Sequence, residues 1–152
     1  MTNKTGVTAL NNNDSTAKVT VNNIADTTAT YGLKGSTVNN LELNYKTGAL
    51  NGTSDKLNVK LNGATNATVT ATAGFESAEV NTTAASTLTK LNASGVSELT
   101  LSGTADLTIE AAAINDIGAY KVTNTGKVTH NGITGVKTFD ASANTAGIVG
   151  KD

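Results

Sequence analysis

The chain of 152 residues contains no cysteine, no proline and no tryptophan, and all 11 of its basic residues are lysine. Without cysteine there is neither a disulfide framework nor a thiolate metal site. Without arginine there is no planar fork for bidentate recognition of phosphate, carboxylate or guanine. Charge is sparse as well: 15% of residues are charged and the net charge is −1, against about 25% charged in an ordinary domain. Nucleic-acid binding through counterion release needs a dense lysine and arginine footprint, so that class is excluded. No segment approaches the ~20 continuous apolar residues of a membrane span. The opening MTNKTGVTALNNND has no apolar signal-peptide core and no cleavage site. Aromatic residues make up only 3%.

What is abundant is threonine and asparagine, 28 and 19 residues, nearly a third of the chain. Polar composition of this kind also marks disordered tracts, but those are rich in proline and poor in β-branched residues. Here valine, isoleucine and threonine recur in register. Eleven short runs alternate with period two: AKVTV, NLELNY, KLNVKL, ATVTATA, SAEVNTT, STLTKL, SELTL, DLTIEA, YKVTN, GKVTH and VKTFDAS. Each is bounded by Gly, Asn, Asp or Ser, the signature of short strands between turns. Apolar positions march at Val59, Val69, Val80, Leu91 and Leu101, in steps of 10, 11, 11 and 10. A coarser frame opens at Gly74, Gly95, Gly118 and Gly135. Two strands per unit of roughly 20 residues is a loose internal repeat.

Two all-β architectures use such a repeat. In an antiparallel β-sandwich, Asn-Gly at 51–52, 62–63 and 131–132 supplies hairpin turns. In a parallel β-helix, or β-solenoid, each unit is one coil and Asn and Gly take the left-handed corner conformations. A narrow coil interior wants Val, Ile, Leu, Ala and Thr and has little room for large rings, whereas sandwiches need bulky residues across a ~10 Å gap. The scarcity of aromatics and the repetition favour a parallel β-helix with roughly 20-residue coils, the sandwich being the alternative. Val59, Val69, Val80, Leu91, Leu101 and Ile109 are expected inside, and Lys60 and Lys90 outside. Glu110–Tyr120 breaks the pattern, as a short helical turn, a capping insertion or an irregular corner.

The stretches GTSDKLNVKLNGA, GFESAEVNTT, ASTLTKLNASGVSELTLSGTADLTI and GVKTFDASANTAG resemble the repeats of bacterial surface-layer proteins. The similarity is to the type I-secreted kind found in Caulobacter and Campylobacter, related to repeat regions of RTX adhesins. The resemblance implies that residues 1–152 are a single β-solenoid segment of a larger secreted protein at the bacterial cell surface. It also implies a self-assembling lattice whose partners are neighbouring copies, often with calcium, and surface polysaccharide contacts through regions outside this segment. The chain departs from the adhesin pattern in one respect: the calcium-binding nonapeptide G-G-x-G-x-D-x-U-x does not occur. The remaining readings are a stalk segment of a secreted adhesin and a solenoid that binds or acts on polysaccharide.

Few residues offer chemistry, and none is assigned a catalytic, cofactor-binding or metal-binding role. The single histidine, His130, has no acid within nine residues before Asp140 and is expected on the strand's outer surface. No G-x-S-x-G elbow is present to build a hydrolytic triad. Glu76 and Glu79 should point to opposite faces of a strand. Asp106 and Glu110 should share a face but stand about 13 Å apart, beyond the ~5–9.5 Å of a glycosidase pair. Asp14, Asp26, Asp55, Asp106 and Asp140 mark turns, but calcium needs several carboxylates converging, and no two lie close in sequence. Thr68, Thr70 and Thr72 place hydroxyls on one strand face, an arrangement found on ice-binding solenoids. The motif is not repeated at fixed spacing, which favours a solvated threonine face. Six N-x-[ST] sequons, beginning at Asn3, Asn13, Asn51, Asn66, Asn81 and Asn92, are what so much Asn and Thr supplies by chance. Tyr31, Tyr45 and Tyr120 are scattered and form no evident cluster.

Overall fold

A computed structural model describes residues 6–35, 40–110, 117–132 and 135–150. Fourteen strands follow one another with no helix among the described residues: β1 (Ala9–Asn13), β2 (Val19–Ile24), β3 (Thr30–Lys34), β4 (Asn40–Tyr45), β5 (Lys56–Asn62), β6 (Ala67–Ala71), β7 (Ser77–Ala84), β8 (Ser86–Ala93), β9 (Glu98–Gly103), β10 (Leu107–Ile109), β11 (Ala119–Val122), β12 (Val128–His130), β13 (Thr138–Asp140) and β14 (Ile148–Gly150). Odd-numbered strands stack in order into one seven-stranded sheet and even-numbered strands into a second. Every pairing between described strands is parallel, from β1 on β3 to β12 on β14. The chain is therefore a succession of stacked coils, each contributing one strand to each sheet, and it makes about six turns. The Asn-Gly pairs close no hairpins. Gly63 and Gly132 instead take the left-handed backbone expected of coil corners, at φ +68° and +96°. The sandwich alternative is excluded.

The regular step is 21 residues: Lys56 pairs with Ser77, Ser77 with Glu98, and Glu98 with Ala119. Corners adjust the step by a residue or two elsewhere, to 22 from Val19 to Leu41, 19 from Ala119 to Thr138 and 20 from Val128 to Ile148. One step reaches 28, with Thr30 paired to Asn58 and Leu41 to Val69, because an extended loop joins β4 to β5. Its Ala49 and Leu50 fold back against the core. Residues 111–116, which hold most of the pattern break, lie outside the described residues.

Alternation along each strand follows from the pleat, which sends successive side chains to opposite faces. The inward positions stack coil upon coil into columns. Tyr31, Val59, Val80, Leu101 and Val122 form one, and Leu88, Ile109 and His130 part of another. Val59, Val69, Val80, Leu101 and Ile109 are buried as expected, and Lys60 and Lys90 are exposed. Leu91 points inward but is only half-buried. It follows a register irregularity in β8, where Ala67 pairs with Leu88 but Thr68 with Lys90, and β10 pairs only with Ser86–Leu88 of that strand.

The expectation that the interior has little room for rings is corrected. Tyr31, Tyr45, Phe75 and Tyr120 are all buried. Tyr45, closing β4, and Phe75, in the connection from β6 to β7, meet edge to face at 5.1 Å. Polar residues also enter the core at one corner. Asn124 is fully buried and donates to the Ala105 carbonyl at 2.8 Å, and Asn144 donates in turn to the Asn124 carbonyl. Buried Thr82 donates to the carbonyls of Ser102 and Ala105. Such side chains satisfy backbone groups that leave the ladder where the chain turns.

Candidate functional site

On the outer face of the first sheet, the column Thr30, Asn58, Glu79, Thr100, Lys121 and Asp140 runs coil by coil. On this face two shallow hollows meet at Lys60 to make a trough, one over β1, β3 and β5 lined by Asn11, Asn13, Lys34 and Asn62, and one over β3, β5 and β7 lined by Thr30, Asn58, Glu79 and Asn81. The floor dips at Gly32, whose missing side chain leaves room for Asn11: a Cβ there would lie 2.1 Å from Asn11 Oδ1. Glu79 is the hub of the hydrogen bonds at the trough's edge. It accepts from Lys56 at 2.5 Å and from Ser102 Oγ at 2.6 Å, and Asn81 donates to that hydroxyl at 2.9 Å. The Lys56 bond, then the Ser102 bond, hold its carboxyl below the usual carboxylate range. Across the second sheet, Lys18 and Glu42 pair at 2.5 Å, and Glu42 is likewise lowered, first by Lys18 and then by Asn44.

The turn carboxylates act as local caps. Asp26 accepts from the Thr28 amide and hydroxyl, and Asp140 from those of Ser142; these bonds lower both carboxyls. Asp55 accepts from the Gly52 amide, and Asp106 from the Lys127 amide on the next coil. Asp14 stands in a left-handed conformation at φ 49°. Glu76 accepts from the Asp55 amide at 2.7 Å, Glu79 faces outward with Lys56, and Glu110 accepts from Asn131. Among the described residues no group of three or more His, Asp or Glu side chains converges to hold a metal ion. No described helix is long and apolar enough to cross a membrane.

The placement of His130 on the surface is wrong. It is 2% exposed, its Nε2 lies 2.7 Å from the Tyr120 hydroxyl, and burial pushes its pKa down to about 4. Its partner tyrosine sits opposite in the other sheet, so the alternation that reads correctly along β12 turns the ring inward. Two of the three tyrosines meet in the core, and the third, Tyr120, stands four strands away in the first sheet. Tyr31 and Tyr45 share a buried hydroxyl–hydroxyl bond of 2.8 Å, and burial raises both phenols. Tyr120 stacks on Phe139 at 5.4 Å.

Of the threonine run, Thr68 and Thr70 face outward, whereas Thr72 is tied down, donating to the Leu43 carbonyl and accepting from the Tyr45 amide. A fixed-spacing threonine set does exist across coils, at Thr87, Thr108 and Thr129 in register on β8, β10 and β12. It was missed by reading along one strand instead of at intervals of 21. The corner asparagines were also missed; their signal is the pair of similar stretches TNTGK and ANTAG.

What these surfaces offer is a repeated display of hydroxyls, amides and isolated charge pairs on flat sheet faces. Compared with family models, curated proteins and solved structures, the chain matches none.

Proposed function

We propose that this chain is a structural module of a bacterial surface-layer protein, exported by the type I route and working by lateral contact with neighbouring copies in a cell-surface lattice. The observation that carries the reading is the two continuous seven-stranded sheets, whose outer columns of Thr, Asn, Ser, Lys and Glu repeat at one coil's interval. Seven strands at about 4.8 Å spacing make a body about 29 Å long. Where a column keeps its residue, as Thr87, Thr108 and Thr129 do, a contact made by one coil is offered again by the next, and weak contacts below about 1,000 Å² each gain strength by repetition. The resemblance of the repeats to surface-layer proteins supports the same reading. A stalk segment of a secreted adhesin uses the same rod as a spacer without the lattice.

Electron microscopy of the full-length secreted protein, with and without Ca²⁺, tests the proposal. Ordered two-dimensional arrays are expected, while the 152-residue chain alone sediments as a monomer at micromolar concentration. Dispersed full-length protein under both conditions, or a tight discrete dimer of the chain, overturns it. The polar trough favours a second reading, contact with polysaccharide. Saturable binding of a soluble glycan, lost in Lys60→Ala with Asn62→Ala, supports that reading; hydrolysis of the glycan counts against any passive role.

A further inference from the structure

The aliphatic columns end at the C-terminal side in a different chemistry. Leu57, Ala78 and Leu99 give way to Tyr120 and then Phe139. In the facing sheet Leu88 and Ile109 give way to His130 and then Gly150. The rings of Tyr120 and His130 lie edge to face at 5.1 Å, and their bond is the polar link between the two sheets at this level. The other ring nitrogen, Nδ1, is buried and has no hydrogen-bond partner. Either direction of the Tyr120–His130 bond strands a hydrogen. If the phenol donates, the neutral ring carries its hydrogen on Nδ1; if Nε2–H donates, the phenol hydrogen is left over among the described residues. The cover is slight. Gly150, paired with His130, brings no side chain over the ring, Phe139 over Tyr120 is 47% exposed, and β13 and β14 have three residues each.

We propose that the Tyr120–His130 level is an acid-sensitive seam between coils, latched by that bond and opened when the imidazole takes up a proton. A protonated ring in place is a charge with one N–H unmatched, and a buried unpaired charge is strongly unfavourable. Nothing among the described residues compensates it. From β10 only Leu107 and Ile109 face inward, with Glu110 beyond them engaged by Asn131. β11 presents Tyr120, with Lys121 outward; β13 presents Phe139, with Asp140 outward; β14 carries no titratable side chain. Tyr120 is thus the one titratable group facing the ring among the described residues. Parting β13 and β14 from β11 and β12 breaks the ladders at that one level and hydrates the ring, leaving the middle coils intact, as expected of a stack in which each coil touches only its neighbours.

The sign follows from the pKa depressed by burial to about 4 against an ordinary 6.5. The neutral ring stabilises the closed state fully above pH 6.5, and that contribution declines as pH falls toward 4. Linkage over that window makes opening about 20-fold more frequent at pH 5 than at pH 7.

Hydrogen exchange on the 152-residue chain at pH 7 and pH 5, corrected for intrinsic rates, tests this. Protection over 119–132 and 136–150 should fall about 20-fold while 77–103 is unchanged. His130→Gln, and separately Tyr120→Phe with His130→Leu, should abolish the difference. The imidazole signal is unambiguous, since the chain has one histidine, and should not titrate in the folded protein above pH 5. A ring that titrates near 6.5 in the folded chain, equal protection at both pH values, or a pH effect that survives in both variants overturns the proposal.

Discussion

Leu101 and Leu91 stand at successive steps of the same apolar march, yet truncating them should not cost the same. Leu101 is 0% exposed on β9, with Val80 on one side and Val122 on the other. Leu101→Ala removes three carbon centres, about 2.4 kcal/mol of transfer free energy at ~0.8 kcal/mol each. The hole cannot collapse, because the ladders fix coils on both sides, and the cavity brings the total to about 3–4 kcal/mol. Leu91 already meets water in the folded state, so Leu91→Ala forfeits about half the transfer term and little cavity, about 1–1.5 kcal/mol. Urea denaturation followed by circular dichroism measures both, provided the m-value is unchanged. Costs equal within about 0.5 kcal/mol, a difference resolvable by midpoint, would refute the assignment of Leu91 to a thinly covered site.

Val80→Asp places a carboxylate at a position with 0% exposure and should cost ~4 kcal/mol or more, against a total stability of ~5–15; Lys60→Asp should stay within ~0.5, and similar thermal midpoints for the two would mean that inside and outside are misassigned. Tyr45→Phe strands the buried Tyr31 hydroxyl and should cost ~1–3 kcal/mol. The double variant with Tyr31→Phe should then cost less than the sum of the singles, and strict additivity in the mutant cycle counts against the pair. Gly103→Ala should be severe, ~3 kcal/mol or more, because φ is +112° and the new Cβ would lie 2.1 Å from the Thr82 carbonyl oxygen. Gly63→Ala, at φ +68° with open space around it, should lose only ~1–2 kcal/mol; comparable melting temperatures for the two would disprove the close approach.

All eleven alternating runs read from the sequence are strands, since a period of two written in β-branched residues has one geometric meaning. β1, β3 and β14 escaped notice for local reasons. ALNNN carries a single large apolar residue, TYGLK has a glycine at its centre, and IVG is too short to alternate. The 10- and 11-residue march sums to the 21-residue coil but fits parallel and antiparallel order alike; repetition and the scarcity of aromatics favour the solenoid, and the strand order itself comes from the structure. The contacts between columns were not legible, because whether Tyr120 meets His130 depends on which sheets face each other and not on spacing along one strand. The same limit hid the Thr87, Thr108 and Thr129 column and the corner asparagines.

The 21-residue step also governs how such a chain can change in length. Removing residues 77–97 would bring Glu98 to the place of Ser77 on Lys56, with the inward and outward alternation preserved in both sheets. A deletion shorter by one residue would turn the following strand over and send Leu99 and Leu101 into solvent, unless a corner absorbs the difference, as one does where Val128 pairs with Ile148 at a step of 20. Unequal recombination between similar coils therefore gives viable rods of different lengths, while most other insertions survive only as loops at corners. The longer connection between β4 and β5, with its step of 28 from Thr30 to Asn58, is an addition of that tolerated kind. Length in this architecture is quantised, and the quantum is one full circuit of the chain.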